Sequence, residues 1–159
     1  WIMKKLMVLI GLLLTPASWA SDTMLPMAED FRVDARQARH QRLAVLVFFS
    51  AKSCQYCEGL RELFLGPMFA GGDYSDKVIM REVQVDGGRE LRDFEGKKLS
   101  HRDFAVRHRV GLTPQIWFLD PTGKALVPAL VGLSTPELFG GYLDAAIDAA
   151  VANMRVAPH

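Results

Sequence analysis

The stretch FFSAKSCQYCEGL, residues Phe48–Leu60, contains the only two cysteines of this 159-residue chain. Cys54 and Cys57 enclose the dipeptide Gln55-Tyr56. A pair at this spacing is a redox centre, half of a metal site, or two buried small side chains. Closing so short a loop removes little chain entropy, so a bond between the two sulfurs would need a purpose other than folding.

A metal or haem site is the weaker interpretation of the pair. A structural zinc ion usually takes four ligands, whereas the histidines show no ligand spacing: His40, His101, His108 and His159. Covalent haem needs a histidine directly after the second cysteine, and Glu58 stands there. We therefore expect no metal and no organic cofactor.

The residues around the pair predict a strand, a short turn and a helix. Leu43–Ser50 is a continuous apolar run, typical of a buried strand in a parallel sheet. After the cysteines, Leu60, Leu63 and Phe64 recur at helical spacing. Arg61 and its charged neighbours are predicted to lie elsewhere on this helix, away from its apolar face.

This arrangement would give the two cysteines different chemistry. Cys54 would lie at the helix start, where backbone amides and the helix dipole favour an anion. We expect Cys54 to have a lowered pKa and to act as the attacking thiolate. Cys57, one turn further in, would be shielded and would resolve the mixed disulfide.

The N-terminal residues predict export. Lys4-Lys5 precedes the apolar run Leu6–Leu14, and Ser18-Trp19-Ala20 offers small residues for a signal peptidase. We expect a signal peptide over 1–20, a single domain over 21–159 and a soluble periplasmic protein. An uncleaved anchor helix is the alternative, although a membrane span needs about 20 apolar residues. The formal net charge of +1, without a basic stripe, argues against nucleic-acid binding.

The remaining pattern predicts further elements along the chain. A polar excursion exposed to solvent is expected over Gly87–Asp103, followed by a short helix over Asp103–His108. The other predicted elements are an amphipathic helix Met27–Arg42, strands Val78–Val85 and Gln115–Leu119, a turn at 120–123, an antiparallel edge strand Lys124–Val131 and a last helix opened by 134–137 with Leu138, Leu143, Ala146, Ile147 and Val151 as its apolar positions.

This order of parts resembles the thioredoxin superfamily over Ala44–Val151. The resemblance is carried by SAKSCQYC, VRHRVGLTPQIWFLDPTGK and LVGLSTPELF. The segment VDGGRELRDFEGKKLS is similar to an excursion in exported thioredoxin-related proteins of the sulfur-oxidation type. The resemblance implies an α/β, thioredoxin-like fold: a central mixed β-sheet flanked by helices on both faces.

The resemblance also implies which residues bind substrate. Pro114 would be a cis-proline facing the cysteines, and it would turn the backbone of Thr113 toward Cys54. The Thr113 N–H and C=O would then pair with an extended substrate peptide. The activity implied is thiol–disulfide exchange in exported proteins or small thiols.

Three departures from the thioredoxin pattern bear on whether the protein reduces or oxidises disulfides. Ser53 replaces a tryptophan, Glu58 replaces a lysine, and Phe48 replaces a buried acid, so that family's proton relay is expected to be missing. Gln55-Tyr56 looks more like the dipeptides of exported reductases and isomerases than of strong oxidases. We expect a monomer that reduces or isomerises disulfides and receives electrons from a membrane donor. A disulfide oxidase and a cysteine-based metal-delivery module are the alternatives.

Overall fold

The computed structural model of the protein describes residues 24–156. The expected signal peptide and its cleavage point lie outside these residues. Within this part of the chain, no helix has both the length and the apolar character that a membrane crossing requires.

The centre of the fold is a mixed β-sheet of four strands. These strands are β1 (Ala44–Ser50), β2 (Val78–Gln84), β5 (Gln115–Leu119) and β6 (Leu130–Val131). In the order β2-β1-β5-β6, β1 pairs in parallel with β2 and antiparallel with β5, and β5 pairs antiparallel with β6. The predicted mixed sheet is confirmed.

Helices cover both faces of β1, which explains its unbroken apolar sequence. One face carries Leu46 and Phe48, which pack toward the cysteines and the last helix. The other carries Val45, Val47 and Phe49, which pack against the first helix and the helix that precedes β5. Every residue of β1 is buried, as predicted for a strand covered on both faces.

The first helix, α1, spans Phe31–Gln41 and begins later than the predicted range Met27–Arg42. The reason is a backbone pairing with β2. The Ala28 N–H donates to the Glu82 carbonyl at 2.8 Å, and the Glu82 N–H donates to the Pro26 carbonyl at 2.8 Å. The residues before α1 are therefore extended along the edge of the sheet.

The polar segment Gly87–Asp103 is only partly a solvated excursion. It contains a hairpin of β3 (Glu90–Arg92) and β4 (Lys98–Ser100), after which α4 spans His101–Arg107. Leu91 and Leu99 are cross-strand partners and face the core together. The expectation of an excursion exposed to solvent was wrong for these two residues and for His101, which are buried.

The turn after β5 forms as predicted, whereas the strand that follows is much shorter. The Gly123 N–H donates to the Asp120 carbonyl at 2.9 Å. Gly123 has a φ of 85°, and an added Cβ would lie 2.8 Å from the Phe94 ring, so glycine is required there. Of the predicted strand Lys124–Val131, the last two residues form β6, and Ala125 adds one isolated antiparallel bridge to Leu119.

The last helix, α5, spans Pro136–Val156 and packs on the face of β1 that carries Leu46. Phe139, Leu143 and Ile147 are buried in this contact. Leu138, predicted as one of the apolar positions of this helix, is 55% exposed.

Candidate active site

Cys54 caps the helix that carries the second cysteine. This helix, α2, spans Gln55–Leu60, and Cys54 precedes it with an extended backbone (φ −122°, ψ 95°). The Cys57 N–H donates to the Cys54 Sγ at 3.2 Å, a role that serine or aspartate usually fills at a helix start. The predicted placement of Cys54 at the helix start is confirmed.

The two cysteines are bonded to each other and differ sharply in exposure. The Sγ atoms of Cys54 and Cys57 are 2.06 Å apart. Cys57 is fully buried in the apolar cluster beneath α2, whereas Cys54 is only partly buried. A substrate sulfur can therefore approach Cys54 but not Cys57.

Thr113 and Pro114 lie beside the exposed sulfur. Their peptide bond is cis, as the resemblance implies. The Thr113 hydroxyl donates to the Cys54 Sγ at 3.6 Å, a contact that the sequence did not suggest. Pro114 is buried, and its carbonyl accepts from the Gly132 N–H at 2.9 Å. The loop before β5 and the end of β6 thus form one wall of the site.

Several apolar side chains near Cys54 are exposed. Tyr56 is 64% exposed, and Gln55 beside it is exposed as well. Leu112, which precedes Thr113, and Val131, in β6, are also exposed. Such exposed apolar side chains suit contact with the apolar side chains of a polypeptide.

A carboxylate at the end of β2 anchors the turn before Cys54. The Lys52 N–H donates to both carboxylate oxygens of Asp86, at 3.2 and 3.0 Å. Beside this contact, the Val85 N–H donates to the Ser50 carbonyl at 2.8 Å. The turn is therefore tied to the sheet on both sides, which fixes the approach to Cys54.

The structure corrects the predicted orientation of Arg61. Instead of facing solvent, Arg61 is 8% exposed and its Nη2 lies 2.7 Å from the Oε1 of Glu82, a fully buried residue of β2. The Ser50 hydroxyl donates to the same carboxylate. The guanidinium also lies 5.6 Å from the centre of the Phe48 ring.

A π-helical turn over Arg61–Leu65 explains a second correction. Leu63, predicted on the apolar face, is 62% exposed, whereas Leu65 is fully buried. Leu60 and Leu65 are five positions apart, which is the spacing that a π-helical turn brings to one face. Beyond this turn the chain is α-helical again over Gly66–Gly71, here named α3.

The buried carboxylate beneath the cysteines belongs to Glu82 in β2 and not to β1, where the thioredoxin pattern has its acid. Phe48 brings no acid to the site, but its register partner on β2 is Glu82. Arg61 also bonds Glu58 at 2.8 Å, so that one cation bridges two acids. Burial acts to lower the pKa of Arg61, but its hydrogen bonds to Glu82 and Glu58 outweigh this effect and the pKa lies above its ordinary value.

The buried histidine nearest to β2 serves the fold. The His101 Nδ1 accepts from the Gln84 N–H at 3.1 Å, and its Nε2 lies 2.9 Å from the Ala28 carbonyl. Burial lowers the pKa of His101, which favours the neutral ring. Within residues 24–156, no three His, Cys, Asp or Glu side chains are grouped closely enough to hold a metal ion.

Comparison with known proteins places this geometry in a family. A family model described as a thioredoxin-like domain matches residues 31–147. A solved thioredoxin h from poplar is 21% identical, covers 76% of this chain and 96% of its own, and has a TM-score of 0.52. An oxidoreductase named DsbH is 14% identical, with coverage of 87% and 94% and a TM-score of 0.58. No curated protein matches the chain significantly.

Proposed function

Because this chain belongs to the thioredoxin-like domain family and carries a bonded Cys-X-X-Cys pair, it is a thiol–disulfide oxidoreductase, and we propose that it reduces or isomerises disulfides of exported proteins or small thiols. The observation that carries the proposal is the asymmetry of the pair. Cys54 is accessible at a helix start, and Cys57 is buried one turn further in.

The reaction proposed is dithiol–disulfide exchange. The Cys54 thiolate attacks one sulfur of a substrate disulfide, and the other substrate sulfur leaves as a thiolate that takes a proton from water. The Cys57 thiolate then attacks the Cys54 Sγ, and the second substrate sulfur leaves in the same way. Two electrons pass to the substrate, and the Cys54–Cys57 bond forms.

Thr113, Pro114 and the dipeptide Gln55-Tyr56 are proposed to hold the substrate. The Thr113 backbone would pair with an extended peptide beside Cys54. Its hydroxyl, 3.6 Å from the Cys54 Sγ, would also donate to the Cys54 thiolate once the bond is reduced. The exposed apolar residues around them would contact substrate side chains.

The charges beneath the pair favour reduction over oxidation. A strong oxidase stabilises a very acidic thiolate, with a pKa of about 3.5. Here the cation of Arg61 is bonded to two acids, Glu58 and Glu82, so that its positive charge is compensated and not free to stabilise a thiolate. The pair would then need electrons from a donor, and we propose a membrane electron carrier.

The location proposed is the periplasm, with export through a signal peptide over 1–20 and one monomeric domain over 21–159. Lys4-Lys5 and the apolar run Leu6–Leu14 support this part of the proposal. N-terminal sequencing of the exported protein should find Ser21 first. Exported material that still begins at Met3 would contradict the cleavage.

Trapping of substrates tests the division of labour between the cysteines. In Cys57→Ser, mixed disulfides should accumulate on Cys54 because nothing displaces the substrate. In Cys54→Ser, neither trapping nor reduction of a disulfide-bonded protein should occur. Substrates trapped on Cys57 instead would reverse the roles of the two cysteines. If the reduced protein binds one equivalent of copper and shows no exchange activity, metal delivery is favoured.

A further inference from the structure

We infer that the Arg61–Glu82 ion pair positions opposite charges beside the buried thiol and thereby sets how readily Cys57 loses its proton. The inference rests on the proposed exchange reaction, in which Cys57 must become a nucleophile. Cys57 is fully buried in an apolar cluster, and such surroundings disfavour a thiolate. In so dry a site, the nearest charges have a large influence on proton loss.

The geometry brings the cation toward Cys57. Arg61 follows Cys57 by one helical turn, and the backbone N–H of Arg61 donates to the Cys57 carbonyl. Side chains four positions apart on a helix are neighbours, with Cβ atoms about 5–6 Å apart. Helical side chains also lean toward the N-terminus, so the guanidinium leans back toward the cysteine. It lies over the ring of Phe48, which packs in the same cluster as Cys57.

Glu82 supplies the opposite charge from the sheet. Its carboxylate is fully buried, 2.7 Å from the Arg61 Nη2, and it accepts from the Ser50 hydroxyl. Ser50 ends β1 just before the turn that leads to Cys54. The pair therefore connects the helix that carries Cys57 with both neighbouring strands beneath it.

The other charged groups near this face are more exposed or more distant. Glu58 is on the same helix as Cys57, but its side chain is 53% exposed. Lys52 and Asp86 lie at the turn before Cys54 and are exposed, and the side of α5 that faces the cluster is apolar. His101 is within electrostatic range of Glu82 but sits toward α1. Among residues 24–156, Arg61 and Glu82 are thus the buried charges on the cysteine face.

Opposite effects follow from removing each charge. Glu82→Gln keeps a hydrogen-bonding side chain but leaves Arg61 with less counter-charge, which should favour the Cys57 thiolate. Arg61→Met leaves the buried carboxylate without its cation, which should disfavour the thiolate. A pair with only a structural role would lower stability in both variants without shifting proton loss in opposite directions.

The test follows the ultraviolet absorbance of the thiolate against pH in a Cys54→Ser background, where Cys57 is the single thiol. We expect the midpoint to fall by roughly one pH unit in Glu82→Gln and to rise by a similar amount in Arg61→Met. Arg61→Lys, which keeps the charge, should titrate close to the parent protein. Glu90→Gln is the matched control, because it makes the same change in an exposed ion pair with Lys98.

Each outcome decides the inference. If both midpoints move in the same direction, or if Glu82→Gln moves no further than Glu90→Gln, the inference is wrong. If Arg61→Met does not fold, the other two variants still test the inference. The titration midpoint must then fall in Glu82→Gln and stay unchanged in Arg61→Lys. The absorbance is measured without substrate, so the titration does not depend on exchange activity. A protein that fails to exchange disulfides would contradict the proposed function but not this inference.

Discussion

Two neighbouring charges on β2 show how differently the two faces of the sheet use an ion pair. Arg81 and Glu82 are adjacent in the strand and therefore point to opposite faces. On the cysteine face, the Glu82 side chain is 0% exposed and the side chain of its partner Arg61 is 9% exposed. On the α1 face, Arg81 bonds Asp34 at 2.7 Å, but its side chain is 25% exposed.

The two carboxylates, Asp34 and Glu82, differ in how strongly each depends on its arginine partner. Burial raises the pKa of Asp34, and the charge and hydrogen bonds of Arg81 only partly offset that rise. Glu82 is held by both Arg61 and Ser50 in a drier place. The pair beside the cysteines should therefore contribute more to the fold and be less replaceable than the pair beneath α1.

The largest expected effect comes from breaking each pair at its arginine. Arg61→Met should reduce the free energy of unfolding of the oxidised protein by about 3–5 kcal/mol, because it leaves a buried carboxylate without its cation. Arg81→Met should cost roughly 1–3 kcal/mol, since Asp34 can take up a proton. Urea denaturation measures both values.

The control for these variants is Lys77→Met, which breaks an exposed pair with Asp148 and should change stability little. Equal losses for the two buried arginine variants would show that the faces do not differ. A loss for Lys77→Met as large as that for Arg61→Met would show that burial does not set the cost.

A smaller effect on stability should appear when the pH is lowered, because His101 is buried on the α1 face of the sheet. The folded pKa of His101 lies below its unfolded value of about 6.5 because the ring is buried. The unfolded chain then binds more protons in this window, so stability falls as pH decreases below about 6.5. One proton accounts for at most about 1.4 kcal/mol per pH unit.

His101→Gln should flatten this slope in denaturation curves recorded between pH 7 and the folded pKa. A slope that persists in His101→Gln would assign the effect to another group. Because His101 lies on the α1 face, away from the cysteines, the reduction potential of the cysteine pair should stay the same in this variant.

The smallest effect concerns the backbone at two helix ends. Arg42, after α1, and Arg109, after α4, have φ angles of 55° and 54°, in the left-handed region that glycine adopts most easily. Arg109→Gly should stabilise the protein by roughly 1 kcal/mol, and Arg42→Gly should do the same at the other helix. Thermal unfolding measures the gain, and a loss at both positions would show that the arginine side chains contribute more than the backbone strain costs.

Sequence reasoning predicted the parts of the fold in which local pattern and burial agree. The strand from Ala44 to Ser50 and the strand from Gln115 to Leu119 are apolar without interruption because both faces are covered. The helix start at Cys54 followed from the break between an apolar strand and a helical pattern. The cis bond at Pro114 came from the resemblance alone, since few X–Pro bonds are cis.

The errors fall where distant residues override the local pattern. Arg61 is charged and was predicted to avoid the apolar face, but Glu82, far away in the sequence, pairs with it inside. The π-helical turn that exposes Leu63 has no clear sequence signal. One usable signal was overlooked: two adjacent charges in an apolar strand, Arg81 and Glu82, must face opposite sides, so at least one of them needs a buried partner.

The central claim is that the Cys54–Cys57 pair is a reducing couple. The most direct test is the equilibrium of the oxidised and reduced protein with glutathione, which gives the reduction potential of the pair. Because Arg61 is bonded to both Glu58 and Glu82, we expect a value near that of thioredoxin, about −270 mV. A value near that of a strong oxidase, about −120 mV, would contradict the account and make the protein a disulfide oxidase.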